Sequence, residues 1–375
     1  MFQDIKVLEL ASVLAGPSVG QFFAELGATV IKVENSKTDG DVTRSWKSVG
    51  EQTDDRSAYF CSVNWGKKSI ALDLTSAEGK KIVQQLAAKS DIVIASYKPG
   101  DAEKLGVAYQ QLTTNNEKLI YGQITGYGPH DARVGYDAVI QAESGFMFMN
   151  GEPGGASLKM PVALIDILAG HQLKEALLLA LLKREKTGAG SFVEVSLLQT
   201  ALASLANQAT NYLVAGKVPQ KQGSAHPNIA PYGEVFTTKD GKQLLLAVGN
   251  DKQFQDLCNV LGVSDLARQA SYANNHARVQ HREQLFDALH AQISNLPASA
   301  LLPHLYKQKI PAGIIQNMEQ AFEMPQAQPL LVQGDGLKGV KTFVAEFNTS
   351  VKSRIDLSPP PHLGEHNDEI LAGLH

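Results

Sequence analysis

Residues 5–34 read IKVLELASVLAGPSVGQFFAELGATVIKVE, and this stretch decides the fold. Residues 5–10 have the composition of a short strand, and a helical segment begins at Pro17. Gly27 stands where glycine usually closes a helix, and residues 28–33 then predict a second strand. A strand, a helix and another strand in this order predict two parallel strands joined by a crossover helix.

The same alternation continues along the first half of the chain. Strand patterns recur at residues 69–74, 91–95 and 119–124. Thr75 with Glu78 has the spacing of a capping box and predicts the start of a helix between the first two of these strands. Strands that alternate with helices predict an open, mostly parallel α/β sheet that is covered by helices on both faces.

A long apolar helix is predicted next. Residues 165–184 have a helical pattern that is apolar nearly all round its middle turns, and residues 191–196 predict a further strand. Such a helix has to be buried, so we expect it to pack between the sheet and a neighbouring domain or subunit.

The pattern changes at residues 217–231, where prolines and a glycine interrupt the periodicity, and we place a domain boundary there. Within residues 233–248, Asp240 and Gly241 predict the turn of a hairpin. Beyond the hairpin we predict helices at 251–261, 277–293 and 297–308, a strand at 313–315, strand-like alternation at 338–353, and an extended tail from 359.

The composition limits the class of protein. At 375 residues the chain suits two domains, and its net charge of −4 argues against binding nucleic acid through a basic face. Two cysteines far apart, Cys61 and Cys258, exclude a disulfide scaffold and fit a reducing compartment. The start of the chain lacks the features of a secretion signal, and the most apolar run, residues 176–182, is too short to cross a membrane. We therefore expect a cytoplasmic protein without a nucleic-acid or membrane partner.

Several well-known motifs are missing or incomplete. The turn at residues 10–20 lacks G-x-G-x-x-G, so we expect no nicotinamide dinucleotide, although Glu34 ends the second strand where such folds keep an acid. The sequence also contains no phosphate-binding P-loop and no serine nucleophile elbow. Residues 362–366 match the zinc string H-x-x-E-H, but three prolines precede them and Gly364 interrupts them. A helix is not expected there, and we predict no metal site.

Asp166 is the most informative single residue, because every neighbour from residue 162 to residue 170 is apolar or small. A carboxylate in such surroundings is costly unless it is hydrogen-bonded or stabilised by a dipole. One interpretation makes it the N-cap of the long helix. The other places the anion at a pocket wall near the helix N-terminus, as a nucleophile towards an activated acyl group. The residues by themselves leave these two interpretations equally open.

Basic residues follow several of the predicted strands, at the rim where open α/β sheets bind their ligands. Scattered lysines are usually solvated surface, so they are weak evidence for a phosphorylated ligand. The residues are Lys37, Arg44, Lys67, Lys68, Lys98 and Lys104.

Several further segments occur in an informative order. They are VLEL at 7–10, LAGP at 14–17, LGATVIKVE at 26–34, GDVTR at 40–44, KSIALDL at 68–74, REKTG at 184–188, HP at 226–227, IPAG at 310–313 and PPPHLGEH at 359–366. Over almost its whole length the chain thereby resembles the class III CoA-transferases. This family contains the formyl-CoA, carnitine and oxalate CoA-transferases and also the α-methylacyl-CoA racemases.

The resemblance implies that Asp166 is the nucleophile. It would attack the thioester of an acyl-CoA donor to give an aspartyl mixed anhydride and then an aspartyl-CoA thioester, before CoA passes to an acceptor carboxylate. CoA and acyl-CoA are then substrates, and no tightly bound cofactor is expected. We predict CoA contacts at Ser12, Val13, Ala15, Lys37, Leu72, Ser96, Tyr97, Lys98, Lys104 and Tyr136.

Departures from the family pattern narrow the expected activity. Racemases of the family have a Gly-His-Asp string, whereas this chain has Gly135-Tyr136-Asp137 and lacks one of the two bases needed for proton exchange. An acyl-CoA transferase acting on small mono- or dicarboxylic acids is therefore favoured. An acyl-CoA racemase or epimerase and a CoA-binding protein without turnover are the alternatives. The glycine-rich lid of formyl-CoA transferases is not evident near residues 222–225, and Ser96 replaces the usual asparagine.

The resemblance also implies an architecture. A large Rossmann-like CoA-binding domain would comprise residues 1–220 and 326–375, and a smaller α+β domain residues 221–325. Family members form interlocked homodimers with the active site between domains of different subunits, so we expect a homodimer.

Overall fold

The structure of the protein is a computed structural model that describes residues 1–346 and 356–374. Its strands follow the alternation predicted for the first half of the chain and include the hairpin predicted at Asp240 and Gly241. In chain order the strands are β1 (Lys6–Leu10), β2 (Thr29–Asn35), β3 (Lys67–Leu72), β4 (Ile92–Ala95), β5 (Ile120–Thr125), β6 (Ser191–Ser196), β7 (Tyr232–Thr237), β8 (Gln243–Ala247), β9 (Ala312–Ile314), β10 (Leu331–Gly334) and β11 (Leu337–Val340).

The helices lie between these strands and include several short ones that no sequence pattern indicated. Of the helices in the described ranges, none combines the length and apolar character needed to cross a membrane. In chain order the helices are α1 (Ala15–Glu25), α2 (Ala58–Cys61), α3 (Ala77–Ala88), α4 (Asp101–Leu105), α5 (Tyr109–Leu112), α6 (Asp137–Glu143), α7 (Phe146–Met149), α8 (Leu164–Thr187), α9 (Leu197–Ala203), α10 (Ala206–Leu213), α11 (Asp251–Val260), α12 (Asn275–Gln280), α13 (Arg282–Ile293), α14 (Ala298–Lys307), α15 (Met318–Glu323) and α16 (Asn367–Ala372).

Six strands of the described chain form one parallel sheet in the order β3-β2-β1-β4-β5-β6. This confirms the predicted open, parallel α/β architecture. Strand β1 pairs with β2 on one side and with β4 on the other, so the chain leaves the middle of the sheet in opposite directions. A crevice therefore opens at the carboxyl ends of β1 and β4, where folds of this kind bind their ligands.

Alternate residues of the strands face opposite sides of the sheet and enter two separate cores. Val7 and Ile94 pack with α1 and α8 on one side. Leu8 and Val93 pack with α3 and α5 on the other side, together with Ile370 of the C-terminal helix α16. Both faces of the sheet are thus covered, as a parallel sheet requires.

Helix α8 is longer at both ends than the predicted range of 165–184, and Gly188 closes it with a φ of 72°. Leu173 and Leu177 on one side of the helix are fully buried in the core of the sheet. On another side, Leu179 is 67% exposed and Leu182 is 55% exposed. Part of the apolar surface of this helix is therefore uncovered in the single chain.

The backbone contacts divide the chain into two units, each with its own core. The second unit contains an antiparallel sheet in the order β7-β8-β9, which packs on α11, α13 and α14 around Phe236 and Leu257. The first unit comprises Met1–Phe146, Lys159–Lys217 and Gln328–His375, and the second comprises Met147–Leu158 and Val218–Ala327.

Two local predictions are wrong. The N-cap of α3 is Ser76, whose hydroxyl accepts from the Gly79 amide, whereas Thr75 donates its hydroxyl to Asp73, so the predicted capping box does not form. The strand predicted at 338–353 ends at Val340, and residues 341–346 form no strand. The rest of that prediction, residues 347–353, lies outside the described residues.

The C-terminal segment covers the edge strand β3. The Gly66 amide donates to the Ser358 carbonyl at 2.9 Å, and the Ser69 amide donates to Nδ1 of His366 at 3.3 Å. The Ala71 amide donates to Oδ1 of Asn367 at 2.9 Å. An edge strand with free amides can pair with other chains, so these contacts protect the sheet.

Candidate active site

The first turn of α8 is capped by a side chain from another element. The helix begins after Ala163, whose side chain cannot accept a hydrogen bond. Asp137, the first residue of α6, takes this role: its Oδ1 accepts from the Ile165 amide at 2.7 Å and from the Asp166 amide at 3.4 Å. Gln141 donates to the other oxygen, Oδ2, at 2.6 Å. Asp137 therefore satisfies amides that a helix leaves without intrahelical partners.

Asp166 is the third residue of α8, so the interpretation of Asp166 as the N-cap is wrong. The residue is 8% exposed, and no donor in the described ranges reaches its carboxylate. Burial raises the pKa of Asp166 from its ordinary value of 3.8 to about 7, and the negative charge of Asp137 contributes to this rise.

Two opposing effects act on the Asp166 carboxylate. The N-terminus of a helix stabilises a nearby anion by about 0.3–2 kcal/mol. The rise of the Asp166 pKa to about 7 corresponds to roughly 4 kcal/mol in the opposite direction, at about 1.4 kcal/mol per pKa unit. Desolvation has the larger effect on the Asp166 carboxylate, because the nearest amides of the helix already donate to Asp137. Near neutral pH the residue is thus a poorly solvated anion in equilibrium with its acid.

A close approach of two loops fixes the place of Asp137. A Cβ atom on Gly126 would lie 2.7 Å from the Cα of Gly135, so these positions require glycine. The Gly126 carbonyl accepts from the Leu198 amide at 3.0 Å, which ties the same loop to α9. The segment after β5 and the segment before α6 are thereby held together, and Asp137 follows directly.

Tyr59 is a neighbour of Asp166 that the sequence did not indicate. Burial raises the pKa of its phenol, and the charges of Asp166, Asp137 and Asp41 raise it further. Tyr59 belongs to α2 and packs edge-on against Trp46, with ring centroids 5.2 Å apart. The phenol therefore lies within range of the Asp166 charge, and its hydroxyl is neutral near pH 7. A four-residue helix such as α2 has too little periodicity to be found from sequence.

A cavity of about 380 Å³ opens at the carboxyl ends of β1, β2, β3 and β4. Four of the predicted CoA contacts line it, namely Ser12, Lys37, Ser96 and Tyr97. The Lys37 ammonium pairs with Asp73 at 3.2 Å, but its side chain is 68% exposed. Exposed ion pairs contribute little, so Lys37 can turn to an anionic ligand at small cost.

Three other predicted contacts lie close to this cavity. Val13 follows Ser12 in the turn between β1 and α1, Ala15 is the first residue of α1, and Leu72 is buried at the end of β3. The start of α1 lies against α8, because a Cβ on Gly170 would lie 3.2 Å from the Ala15 carbonyl oxygen. Gly170 is one helical turn beyond Asp166, so the start of α1 lies beside the helix that carries the acid.

The remaining predicted contacts are not brought into the cavity. Lys98 and Lys104 follow β4 and are exposed, and Lys104 pairs with Asp101 at 3.0 Å. Tyr136 is 55% exposed and immediately precedes Asp137. These three side chains remain predicted CoA contacts on the surface of the first unit.

A buried ion network lies beneath the turn after β1, and no sequence pattern indicated it. Glu9 pairs with Lys32 at 3.0 Å through Oε1 and with Lys67 at 2.7 Å through Oε2. Lys32 also pairs with Asp41 at 2.8 Å. The four side chains are at most 1% exposed, so two acids and two bases compensate one another in the interior. Burial would lower the pKa of Lys32, but the charges of Asp41 and Glu9 raise it.

The string at 362–366 does not bring its two histidines together. His362 contacts Asp55, whereas Nδ1 of His366 accepts from the Ser69 amide. In the described part of the chain, Asp54, Asp55 and His362 are the one group with three ligand atoms within 4.8 Å of each other, and all three are exposed. Both carboxylates already pair with arginines, Asp54 with Arg56 and Asp55 with Arg44.

Comparison with known proteins shows a relationship along the whole chain. A sequence model described as CoA-transferase family III matches residues 2–367. A succinate–glutarate CoA-transferase from Agrobacterium fabrum is 40% identical, with 99% of this chain and 94% of the relative covered. A succinyl-CoA:glutarate CoA-transferase from Homo sapiens is 35% identical, with 98% and 85% covered. The crystal structure of a CAIB/BAIF family protein from Brucella suis superposes with a TM-score of 0.85 at 39% identity, covering 99% of this chain and 98% of that protein.

Proposed function

Because the chain belongs to CoA-transferase family III and is a CoA-transferase, we propose that it moves CoA between small carboxylic acids through covalent intermediates on Asp166. The observation that supports this most is the state of that carboxylate: buried, without a hydrogen-bond donor in the described ranges, and with its pKa raised to about 7. An anion that has lost its solvation is a stronger nucleophile towards a thioester carbonyl.

The proposed reaction has four steps. An oxygen of Asp166 adds to the acyl carbon of the donor thioester, the C–S bond breaks, and CoA leaves as a thiolate with a mixed anhydride on Asp166. The thiolate then adds to the aspartyl carbon, and the donor acid leaves as a carboxylate. The acceptor carboxylate adds to the resulting aspartyl-CoA thioester and expels the thiolate again. The thiolate finally attacks the acceptor's acyl carbon, which restores the Asp166 carboxylate.

Oxyanions form in each addition step, and they need hydrogen-bond donors. The amides of Ile165 and Asp166 are unsuitable, because both donate to Asp137. Tyr59 is the candidate that the site offers, since its phenol lies within range of the Asp166 charge and its hydroxyl is a hydrogen-bond donor. We assign it the role of a donor to the reacting carbonyl oxygen.

The acids we propose are dicarboxylates of four and five carbons, with succinyl-CoA as donor and glutarate as acceptor. The support comes from the names of two relatives that match nearly the whole chain, a succinate–glutarate CoA-transferase and a succinyl-CoA:glutarate CoA-transferase. We also propose a homodimer, because Leu179 and Leu182 on α8 are exposed apolar side chains that need a covering surface.

Exchange between succinyl-CoA and a panel of acids tests the activity. We expect glutaryl-CoA to form in the presence of glutarate, detected by mass spectrometry, with much slower formation of formyl-CoA and oxalyl-CoA from formate and oxalate. Hydroxylamine added during turnover should modify the peptide that contains Asp166. Deuterium from solvent at the α-carbon without transfer to any acid would instead identify a racemase, and tight CoA binding without any turnover would identify a binding protein.

Replacing Asp137 by asparagine should change the pH dependence of the reaction. In the wild-type enzyme, kcat/KM should rise about tenfold per pH unit up to a pH near 7 and then level off, because the nucleophile is the ionised form of Asp166. Asp137→Asn removes a negative charge that raises the Asp166 pKa but keeps an oxygen for the Ile165 amide. We expect the acidic limb to move to lower pH by about half to one unit.

The matched control for this change is Asp137→Ala, which removes the cap as well as the charge. It should lower the free energy of unfolding by about 0.5–2 kcal/mol, as the loss of other helix caps does. Thermal or chemical unfolding of both variants separates the two effects. An acidic limb that stays in place in Asp137→Asn would contradict the electrostatic coupling of the two acids.

A further inference from the structure

Val13, in the turn between β1 and α1, has a left-handed backbone with a φ of 71°. A β-branched residue rarely adopts this conformation, because its side chain crowds the backbone there. Surrounding contacts therefore have to hold Val13 in place. One such contact is a hydrogen bond from the Val13 amide to Oδ1 of Asp41 at 3.3 Å.

The carboxylate of Asp41 is itself fixed on both oxygens. Oδ1 also accepts from the amide and the hydroxyl of Thr43, at 3.0 and 2.8 Å, and Oδ2 pairs with Lys32 at 2.8 Å. Lys32 in turn donates to the Ala11 carbonyl at 2.7 Å, two residues before Val13 in the same turn. The buried side chains of Lys32 and Asp41 thus fix the turn at two points, the Ala11 carbonyl and the Val13 amide.

Asp41 also connects this turn to the segment that carries Tyr59. It is the N-cap of a short 3-10 helix, Val42–Ser45. The Thr43 carbonyl of that helix accepts from the Ser57 hydroxyl at 2.6 Å, and the same hydroxyl caps α2 by accepting from the Phe60 amide at 3.0 Å. The charges of Asp41 and Asp166 both act on the Tyr59 phenol, so the two acids lie in the same region.

We propose that Asp41 is a positioning residue for CoA: its carboxylate, held by Lys32, keeps Val13 left-handed and so sets the backbone of the turn at Ser12 and Val13 to receive the coenzyme. The inference rests on the proposed function, because it takes Ser12 and Val13 as CoA contacts. Ser12 lines the cavity at the carboxyl end of the sheet, and Ala15, with which α1 begins just after the turn, contacts α8. Without the carboxylate, Val13 relaxes to a negative φ and Ser12 leaves its place at the cavity wall.

A double-mutant cycle with Val13→Gly tests this assignment, because glycine adopts a positive φ without strain. Affinity is measured by calorimetry with CoA, and kinetics with succinyl-CoA and glutarate. Asp41→Ala should raise the Kd for CoA and the KM for succinyl-CoA about ten- to hundredfold, with a much smaller change in kcat. In the Val13→Gly background, Asp41→Ala should raise the Kd for CoA and the KM for succinyl-CoA by less than about threefold, because the turn no longer depends on Asp41.

Conservative and distant variants separate positioning from general stability. Asp41→Asn keeps an oxygen that can accept from Val13 but loses the ion pair with Lys32, so it should restore part of the CoA affinity even if its unfolding midpoint falls. Asp251→Asn breaks the ion pair of the buried Arg278, 2.7 Å away in the second unit, and should lower stability with an unchanged Kd for CoA.

An equal loss of CoA affinity from Asp41→Ala in the wild-type and Val13→Gly backgrounds would overturn the assignment, and so would an unchanged Kd in a folded Asp41→Ala variant. Measurements on the wild-type protein test the proposed function separately. Wild-type protein that neither binds CoA nor forms glutaryl-CoA would refute the proposed function, whereas active wild-type enzyme with an insensitive Asp41 refutes this inference alone.

Discussion

Asp166→Asn is expected to abolish CoA transfer, with a loss of about four orders of magnitude or more in kcat, because the side chain that would carry both covalent intermediates is gone. Binding of CoA should persist, since the cavity residues Ser12, Lys37 and Tyr97 are untouched. The variant keeps the shape of the aspartate and its place in the first turn of α8. Single-turnover mass spectrometry should find no acylated peptide.

The same substitution should stabilise the protein above neutral pH. The pKa of Asp166 is about 7 in the folded protein and near 3.8 in an unfolded chain, so the unfolded chain releases its proton first as the pH rises. The loss of folding stability caused by burying the ionised Asp166 carboxylate is therefore absent below pH 3.8, grows between pH 3.8 and 7, and is complete above pH 7. We expect Asp166→Asn to gain roughly 2–4 kcal/mol at pH 8 and less than about 2 kcal/mol at pH 5.

Urea unfolding at both pH values measures this gain, provided that the slope of the transition is unchanged. Glu175→Gln is the matched control, because Glu175 is an exposed acid on the same helix. It should affect neither transfer nor stability. If Asp166→Asn transferred CoA at the wild-type rate, Asp166 would not be the nucleophile. A loss of stability at pH 8 would show that the carboxylate is better solvated than its burial indicates.

We expect Lys32→Met to lower the free energy of unfolding more than the other substitutions named above. Lys32 lies between Glu9 and Asp41, and the three side chains are at most 1% exposed. Removing one partner of a buried pair leaves an uncompensated charge in the interior, which costs about 3–5 kcal/mol. Here Asp41 loses its charged partner, and Glu9 keeps Lys67. A large drop in the urea midpoint is the expected observation.

Lys252→Met provides the comparison for Lys32→Met. Lys252 pairs with Asp256 on the surface, and its side chain is 81% exposed, so its loss should leave the free energy of unfolding nearly unchanged. The destabilisation of Lys32→Met should also become smaller towards low pH, as the buried acids gain protons in its place. Equal midpoints for Lys32→Met and the wild type would show that water reaches the network.

The sheet could be predicted from the sequence because its signals are local. The strand at 28–33 and the glycine at position 27 follow rules that hold within a few residues. Asp166 could also be found from local sequence, since a single acid among apolar neighbours is conspicuous in any short stretch of the chain. The position of Asp166 within the helix could not be predicted, because the cap comes from Asp137, 29 residues earlier in the chain.

The ion network and Tyr59 were not predictable for the same physical reason. Glu9, Lys32, Asp41 and Lys67 look like ordinary surface charges until the chain is folded. Parallel pairing of β1, β2 and β3 brings Glu9, Lys32 and Lys67 together, and Asp41 joins them from the segment after β2. The predicted capping box failed because Asp73 competes for the Thr75 hydroxyl. Interactions between distant segments therefore decide the parts of the site that local patterns leave open.

The contacts of the C-terminal segment with β3 have a consequence for synthesis of the protein on the ribosome. Strand β3 emerges early, but its covering residues, Ser358, His366 and Asn367, are translated much later, and His366 follows the Ser69 that it contacts by 297 residues. Until then the nascent sheet carries an unprotected border, and the first unit cannot close before the second has been made. Translation of residues 358–367 is thus the step after which this border can be covered.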